Sequence, residues 1–227
     1  MNLMEAAIGF LAPPQCVVCT REGWMLCAAC SAAEIIPYGQ HCYLCGAVSD
    51  VGRTCLRCRP SSPRHVWLTT NYEGAAMQLV KTYKFGHQRP AAGALSGLMA
   101  ETFRDFNPGG SENYLVVPVP TATSRRRQRG FDHCWLLARQ IAQQLDFQSC
   151  NVLGRLGQSR QLGASRNDRL AQPVDNYFVK MPKFIKGCPV LLIDDVVTTG
   201  ATLRACTKAL RQAGATRVDA LVFAKRL

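Results

Sequence analysis

Residues 190–202 read VLLIDDVVTTGAT. A short apolar run ends in two adjacent acids and opens into a Thr- and Gly-rich turn. An amphipathic pattern follows, with Leu203, Cys206, Leu210 and Ala213 on one face and Gly214 as its stop. The pattern predicts a buried strand over 190–193, Asp194 and Asp195 at its carboxyl end, then a loop at a helix N-terminus. Open α/β sheets bind ligands at the carboxyl ends of their strands. A helix N-terminus favours anions through its unpaired N–H groups and its dipole. Residues Val197, Thr198, Thr199, Gly200, Ala201 and Thr202 supply those N–H groups, and the three threonines add hydroxyls. A phosphate fits that loop, and the two carboxylates suit sugar hydroxyls or a magnesium ion. Together they describe a site for a ribose 5-phosphate. The plain alternative is a strand and turn without a ligand. Against it stands the cost of placing adjacent aspartates at the end of a buried strand with no partners.

The chain has 227 residues, enough for one full domain and a small one. Its 48% apolar content suits a soluble globule. No apolar run is long enough to span a membrane. Residues 1–14 carry Glu5 and no basic start, so a secretory leader is not expected there.

Eight of the twelve cysteines fall in four C-x-x-C turns: Cys16/Cys19, Cys27/Cys30, Cys42/Cys45 and Cys55/Cys58. That spacing presents two thiolates per turn to one ion, and two turns complete a four-cysteine zinc site. Thiolates of this kind persist best in a reducing cytoplasm. Sequential pairing is the simplest arrangement, with seven and nine residues between the turns of each pair; interleaved pairing is the alternative. A redox C-x-x-C does not account for four repeats. Two structural zincs are expected, with every ligand position filled and none left for a catalytic water. The single cysteines Cys134, Cys150, Cys188 and Cys206 are not expected to be ligands.

A boundary is expected near RPSSPRH, residues 59–65, which separates a zinc region over 1–63 from an α/β domain over 64–227. Up to Pro63 there are four basic and four acidic residues; beyond it there are 23 basic and 11 acidic, which carries the whole net charge of +12. Such an asymmetry favours an anionic partner, a phosphorylated sugar or nucleic acid.

Beyond the boundary, strands are expected over 66–72, 114–119, 177–180, 190–193 and 218–224, and helices over 75–83, 90–103 and 131–145. The alternation implies a mostly parallel sheet with helices on both faces. Three more segments carry candidate chemistry. In VPVPTATSRRRQRGF, residues 117–131, Arg125, Arg126, Arg127 and Arg129 can grip pyrophosphate or a nucleic-acid backbone by charge-assisted hydrogen bonds; the alternative is a solvated helix start. In QSRQLGASRNDRL, residues 158–170, Arg160, Arg166 and Arg169 can close over a bound anion; the alternative is a plain surface loop. In KTYKFGHQRP, residues 81–90, Lys84, Phe85 and His87 can line the site from the other side, unless Phe85 is core and His87 a surface histidine.

Residues 190–202 resemble the phosphoribosyl pyrophosphate (PRPP) signature of type I phosphoribosyltransferases. The four C-x-x-C turns, YEGAAMQLVKTYKFG, VVPVPTATSRRRQRGFDHCWLLAR, the 158–170 loop and VLLIDDVVTTGATL follow one another in an order that resembles the ComF family of competence-associated proteins. The likeness spans nearly the whole chain. It departs at Asp132-His133-Cys134, where an Asn-Gln pair is common in that family. The resemblance implies a zinc ribbon joined to a type I phosphoribosyltransferase fold. It further implies a cytoplasmic role, near the inner-membrane channel, in handling single-stranded DNA during natural transformation or in using that DNA as a nutrient. By the same resemblance Asp194 and Asp195 bind the ribose hydroxyls or the magnesium-bound sugar diphosphate, and residues 198–202 hold the 5-phosphate. Residues 118–121, Thr121 included, correspond to the pyrophosphate loop, and 158–170 to the mobile catalytic loop.

Two hypotheses follow. The protein is a DNA-handling factor that uses this fold to bind PRPP or DNA, or it is an active phosphoribosyltransferase in nucleotide salvage. A DNA binder needs exposed aromatics for base stacking; Trp67, Tyr72, Tyr83 and Phe85 are the candidates, with core roles as the alternative.

Overall fold

The computed structural model describes residues 13–50, 52–85, 88, 90–107, 113–122, 130–156 and 176–226. The strands are β1 (Val66–Asn71), β2 (Leu115–Pro118), β3 (Gln148–Ser149), β4 (Leu153–Arg155), β5 (Tyr177–Val179), β6 (Pro189–Val197) and β7 (Arg217–Lys225). The helices are α1 (Ala28–Glu34), α2 (Gly74–Phe85), α3 (Pro90–Phe106), α4 (His133–Leu145) and α5 (Ala201–Gln212).

Five strands form one parallel sheet in the order β1-β7-β6-β2-β3, as the α/β alternation predicts. The two central strands, β6 and β7, are continuously apolar over 190–193 and 220–224 because both of their faces are covered there. Alternation divides them cleanly. Leu191, Ile193, Leu221 and Phe223 face a core built with α2, α3 and α4. Val190, Leu192, Ala220 and Val222 face a second core built with α5 through Leu203, Cys206 and Leu210.

Three expectations need correction. The strand after Cys188 does not end at Ile193 but continues to Val197, because β7 keeps pairing with it through Asp194↔Val222 and Val197↔Lys225. The segment at 177–180 is not part of the parallel sheet; β5 pairs antiparallel with β4 in a separate hairpin, and its Tyr177 and Val179 pack against the α5 core. The helix expected from Phe131 starts at His133, since Asp132 caps it by accepting from the Trp135 amide at 3.2 Å.

The two cysteine-rich segments lie on opposite faces of the sheet. Cys16, Met25, Leu26 and Cys27 join the core under α2 to α4. Tyr43, with Tyr38 and Leu44 against it, joins the core under α5.

Candidate functional site and two four-cysteine clusters

The topology places a crevice at one point of the sheet. After β2 the chain crosses over through α4 on one face; after β6 it crosses through α5 on the other. The carboxyl ends of β2 and β6 therefore flank a topological switch point, where open α/β sheets leave room for a ligand. β2 stops opposite Ile193, with the Val119 amide donating to the Ile193 carbonyl at 2.9 Å. Asp194 to Val197 run on past it, paired only to β7. The two aspartates thus border the crevice although they lie inside a strand.

Alternation sends the two carboxylates to different surroundings. Asp195 is buried, on the side of α2 and α4. Lys84 Nζ, in the last turn of α2, donates to its Oδ1 at 2.6 Å. His133 Nε2, in the first turn of α4, lies 3.0 Å from its Oδ2, within ion-pair reach though off the line of a good hydrogen bond. Burial alone raises a carboxyl pKa, but here the Lys84 charge and the His133 contact prevail and hold Asp195 well below the usual carboxylate range. Asp194 is only partly buried. Its Oδ1 accepts from the Asp195 amide at 2.9 Å and faces the Cys134 Sγ at 3.6 Å. Burial and the neighbouring Asp195 charge push Asp194 up to about 7. One acid is therefore fixed as an anion and the other is poised near neutrality.

Asp195, expected with Asp194 to bind the ribose hydroxyls or the magnesium-bound sugar diphosphate, is also an internal ion-pair partner. Lys84 stands at the site as expected, Phe85 is exposed rather than core, and His87 lies outside the described residues. His133 and Cys134 had no assigned role in the sequence. Together with Asp195 they form a close group of potential metal-ligating atoms. Lys84 already occupies Asp195, and burial keeps the Cys134 thiol protonated, so the group reads as an ion-pair network.

The loop after β6 bends through Thr198 and Thr199, both exposed, to Gly200. Gly200 has φ +71° and caps α5 without a side-chain acceptor, so the first N–H groups of the helix have no capping oxygen from that residue. Thr199 Oγ1 accepts from the Ala201 amide at 3.4 Å, and Lys225 Nζ donates to the Thr198 carbonyl. On the β2 side, Thr121 Oγ1 donates to Asp132 Oδ1 at 3.1 Å, tying the loop after β2 to the α4 cap. Arg125, Arg126, Arg127, Arg129, Arg160, Arg166 and Arg169 lie outside the described residues.

The eight C-x-x-C cysteines gather as two groups, Cys16/Cys19/Cys27/Cys30 and Cys42/Cys45/Cys55/Cys58, each with its sulfurs within 4.8 Å of one another. This is the sequential pairing. A tetrahedron with Zn–S bonds near 2.3 Å places sulfurs about 3.8 Å apart. Cys19 and Cys27 sulfurs stand at 3.7 Å, Cys45 and Cys55 at 3.6 Å. Both groups therefore have the donor type and size of a four-thiolate zinc site.

Residues 132–227, which contain α4, both aspartates, the Thr/Gly loop and α5, match the phosphoribosyl transferase domain family. Over 83% of the chain the sequence is 26% identical to competence protein ComFC of Bacillus subtilis (strain 168), covering 79% of that protein. The chain is a relative of the ComF competence proteins and carries a phosphoribosyl transferase domain. It is also 27% identical to competence protein F of Haemophilus influenzae, over 90% of this chain and 87% of that one. The DNA utilization protein YhgH of Escherichia coli (strain K12) is 26% identical over 90% of this chain and 92% of its own length. No helix among the described residues is long and apolar enough to cross a membrane.

Proposed function

We propose that this ComF relative binds PRPP at the switch-point crevice and handles single-stranded DNA on the cytoplasmic side of the inner membrane during natural transformation. The observation that carries the sugar-phosphate reading is that β6 brings Asp194 to the crevice and leads directly into a loop whose Gly200 starts α5 without a side-chain cap of its own. A 5-phosphate seats on the loop of residues 198–202, held by N–H groups and threonine hydroxyls. Asp194 accepts from the ribose hydroxyls. Asp195, fixed as an anion, keeps Lys84 aimed at the same end of the sheet. Asp194, the acid left to the crevice, is of the donor class that would hold magnesium, which would neutralise the diphosphate. Thr121 and the arginines of 125–129 supply the pyrophosphate side.

The DNA part rests on the names of the relatives, which speak of competence and DNA utilization, and on one surface feature. The four aromatics named from the sequence do not form a stacking platform: Trp67 and Tyr83 are core, Tyr72 is half-buried, and only Phe85 is exposed. Two further exposed aromatics lie within one basic segment, YFVKMPKFIK, residues 177–186. There Phe178, Met181 and Phe184 stand out to solvent among Lys180, Lys183 and Lys186 with no acid between them. Basic charge interleaved with exposed rings is what a sequence-tolerant single-strand site requires.

A second reading, an active phosphoribosyltransferase in salvage, is favoured by Asp194 itself. A carboxyl group with its pKa near 7 can exchange a proton at physiological pH. Calorimetric titration of the protein with PRPP and magnesium, alongside a pyrophosphate-release assay on a panel of bases, separates the readings. Binding without release supports the handling factor; release with one base supports the enzyme. Absence of PRPP binding overturns the sugar-phosphate assignment.

A further inference from the structure

The two four-cysteine clusters do not stand in the same relation to the phosphate loop. The second one touches it. Tyr43 and Leu44 lie between the ligands Cys42 and Cys45, and Tyr43 is buried under α5. A Cβ added at Gly200 would meet the Tyr43 ring at 2.8 Å and Leu44 Cδ1 at 3.1 Å. The turn between two metal ligands is thus seated on the glycine that starts α5. Gly200 is required twice over, by its φ of +71° and by this close approach.

The same cluster holds the other end of the helix. Tyr43 Oη donates to the buried Ser62 Oγ at 3.0 Å. Ser62 lies just beyond Cys58, and its carbonyl accepts from Arg211 Nη2 at 2.7 Å, while the Pro60 carbonyl accepts from Arg211 Nη1 at 2.7 Å. Gly200 and Arg211 are eleven residues apart, about 16 Å along a helix. The segment that carries one four-cysteine cluster therefore clamps α5 at its first and last turns. The first cluster contributes Cys16 and Cys27 to the core on the opposite face of the sheet, with Ala75 and Ala76 of α2.

We propose that the second cluster is the positioning element of the phosphate loop: the Cys42–Cys45 turn, through Tyr43 and Leu44, fixes the backbone at Gly200, so that anion binding there depends on metal in the second cluster and not in the first. The proposal rests on the sugar-phosphate reading only for the identity of the anion. The physical reason is that the loop's donors are backbone N–H groups, whose directions are set by the backbone alone. A turn freed from its metal loses the constraint that keeps Tyr43 against Gly200. Tyr43 is a positioning residue; its hydroxyl is already committed to Ser62.

The test compares two exposed ligands, Cys45→Ser in the second cluster and Cys19→Ser in the first, in the full chain. Amide hydrogen exchange is followed over residues 198–206, with residues 191–193 of β6 as the internal fold control. Cys45→Ser is expected to speed exchange in the loop by about tenfold or more and to weaken PRPP binding by a similar factor, with β6 protection retained. Cys19→Ser is expected to leave loop exchange within about twofold of the parent. Equal effects of the two variants on the loop would overturn the proposal. Should Cys45→Ser lose β6 protection as well, Tyr43→Ala decides in its place: unchanged loop exchange in that variant overturns the proposal. Tyr43→Phe, which keeps the ring and removes only the Ser62 bond, is expected to stay close to the parent. If the parent binds no PRPP, the exchange readout still stands, so the two readings fail separately.

Discussion

Lys84 Nζ sits 2.6 Å from Asp195 Oδ1, joining the last turn of α2 to β6 across 111 positions of sequence. With His133 on the other oxygen, this pair binds three elements together at the edge of the crevice. It also decides which of the two adjacent acids remains available to a ligand. Asp195 is committed inward, and Asp194 is left as the acid bordering the crevice.

The pair predicts a coupling. Removing one member of a buried ion pair costs about 3–5 kcal/mol, because the other charge is stranded. Lys84→Met is expected to destabilise the fold by roughly 3 kcal/mol. The double variant Lys84→Met with Asp195→Asn is expected to recover most of that loss. Urea unfolding of the four proteins of the cycle measures it; strictly additive losses would show that the pair is not coupled.

Asp194 predicts a pH dependence. Its folded pKa, about 7, is raised above the ordinary carboxylate value. Between that ordinary value and 7 the unfolded chain has released its proton and the folded chain retains it, so stability falls as pH rises and levels off above 7. Asp194→Asn is expected to abolish this contribution: its stability relative to the parent should grow from pH 5 to pH 8. Thermal unfolding across that range checks the sign. Asp195 acts oppositely, since its depressed pKa adds stability at neutral pH that disappears on strong acidification. A double alanine replacement at 194 and 195 would strand Lys84, which makes Asp194→Asn the cleaner probe of ligand binding. It is expected to weaken PRPP at least tenfold, about 1.4 kcal/mol.

The cysteine clusters predict a metal content. Elemental analysis of the purified protein should return about two zincs per chain. A strong chelator should lower the midpoint of thermal unfolding, because binding free energy at such sites is folding free energy. A value near one zinc would mean that one of the two cysteine groups does not hold its ion.

The exposed segment 177–186 predicts two separable effects on single-stranded DNA. Phe178→Ala with Phe184→Ala should cost stacking, about 1–3 kcal/mol per base, with the salt dependence unchanged. Replacing Lys180, Lys183 and Lys186 by Ala should instead flatten the salt slope by roughly 0.7 for each phosphate that is no longer neutralised. The quadruple Arg125, Arg126, Arg127, Arg129→Ala variant tests the other basic segment. Loss of PRPP binding with DNA binding intact would assign those arginines to pyrophosphate alone. No DNA binding by the parent at low salt would remove the DNA surface altogether.

Some of this molecule follows from local sequence. The parallel sheet, the strand–loop–helix unit at 190–212 and the four C-x-x-C turns are written in short-range patterns: apolar runs, a 3.6-residue period, and cysteine spacing. Each depends on residues a few positions apart, so each can be read without coordinates. The partners of Asp195 cannot. Lys84 is legible as lining the site but not as the partner of Asp195, and nothing around His133 marks it as facing a strand more than sixty residues further on. The strand's extension past Ile193 was hidden for the same reason, since only pairing with β7 reveals it. So was the seat of Tyr43 on Gly200, where two turns separated by 157 positions share one contact surface. Local periodicity and cysteine spacing specified the elements and the two four-cysteine groups. Tertiary packing decided which acid is fixed as an anion, which is poised near neutrality, and which four-cysteine cluster touches the loop, because burial and charge pairing depend on what the rest of the chain brings alongside.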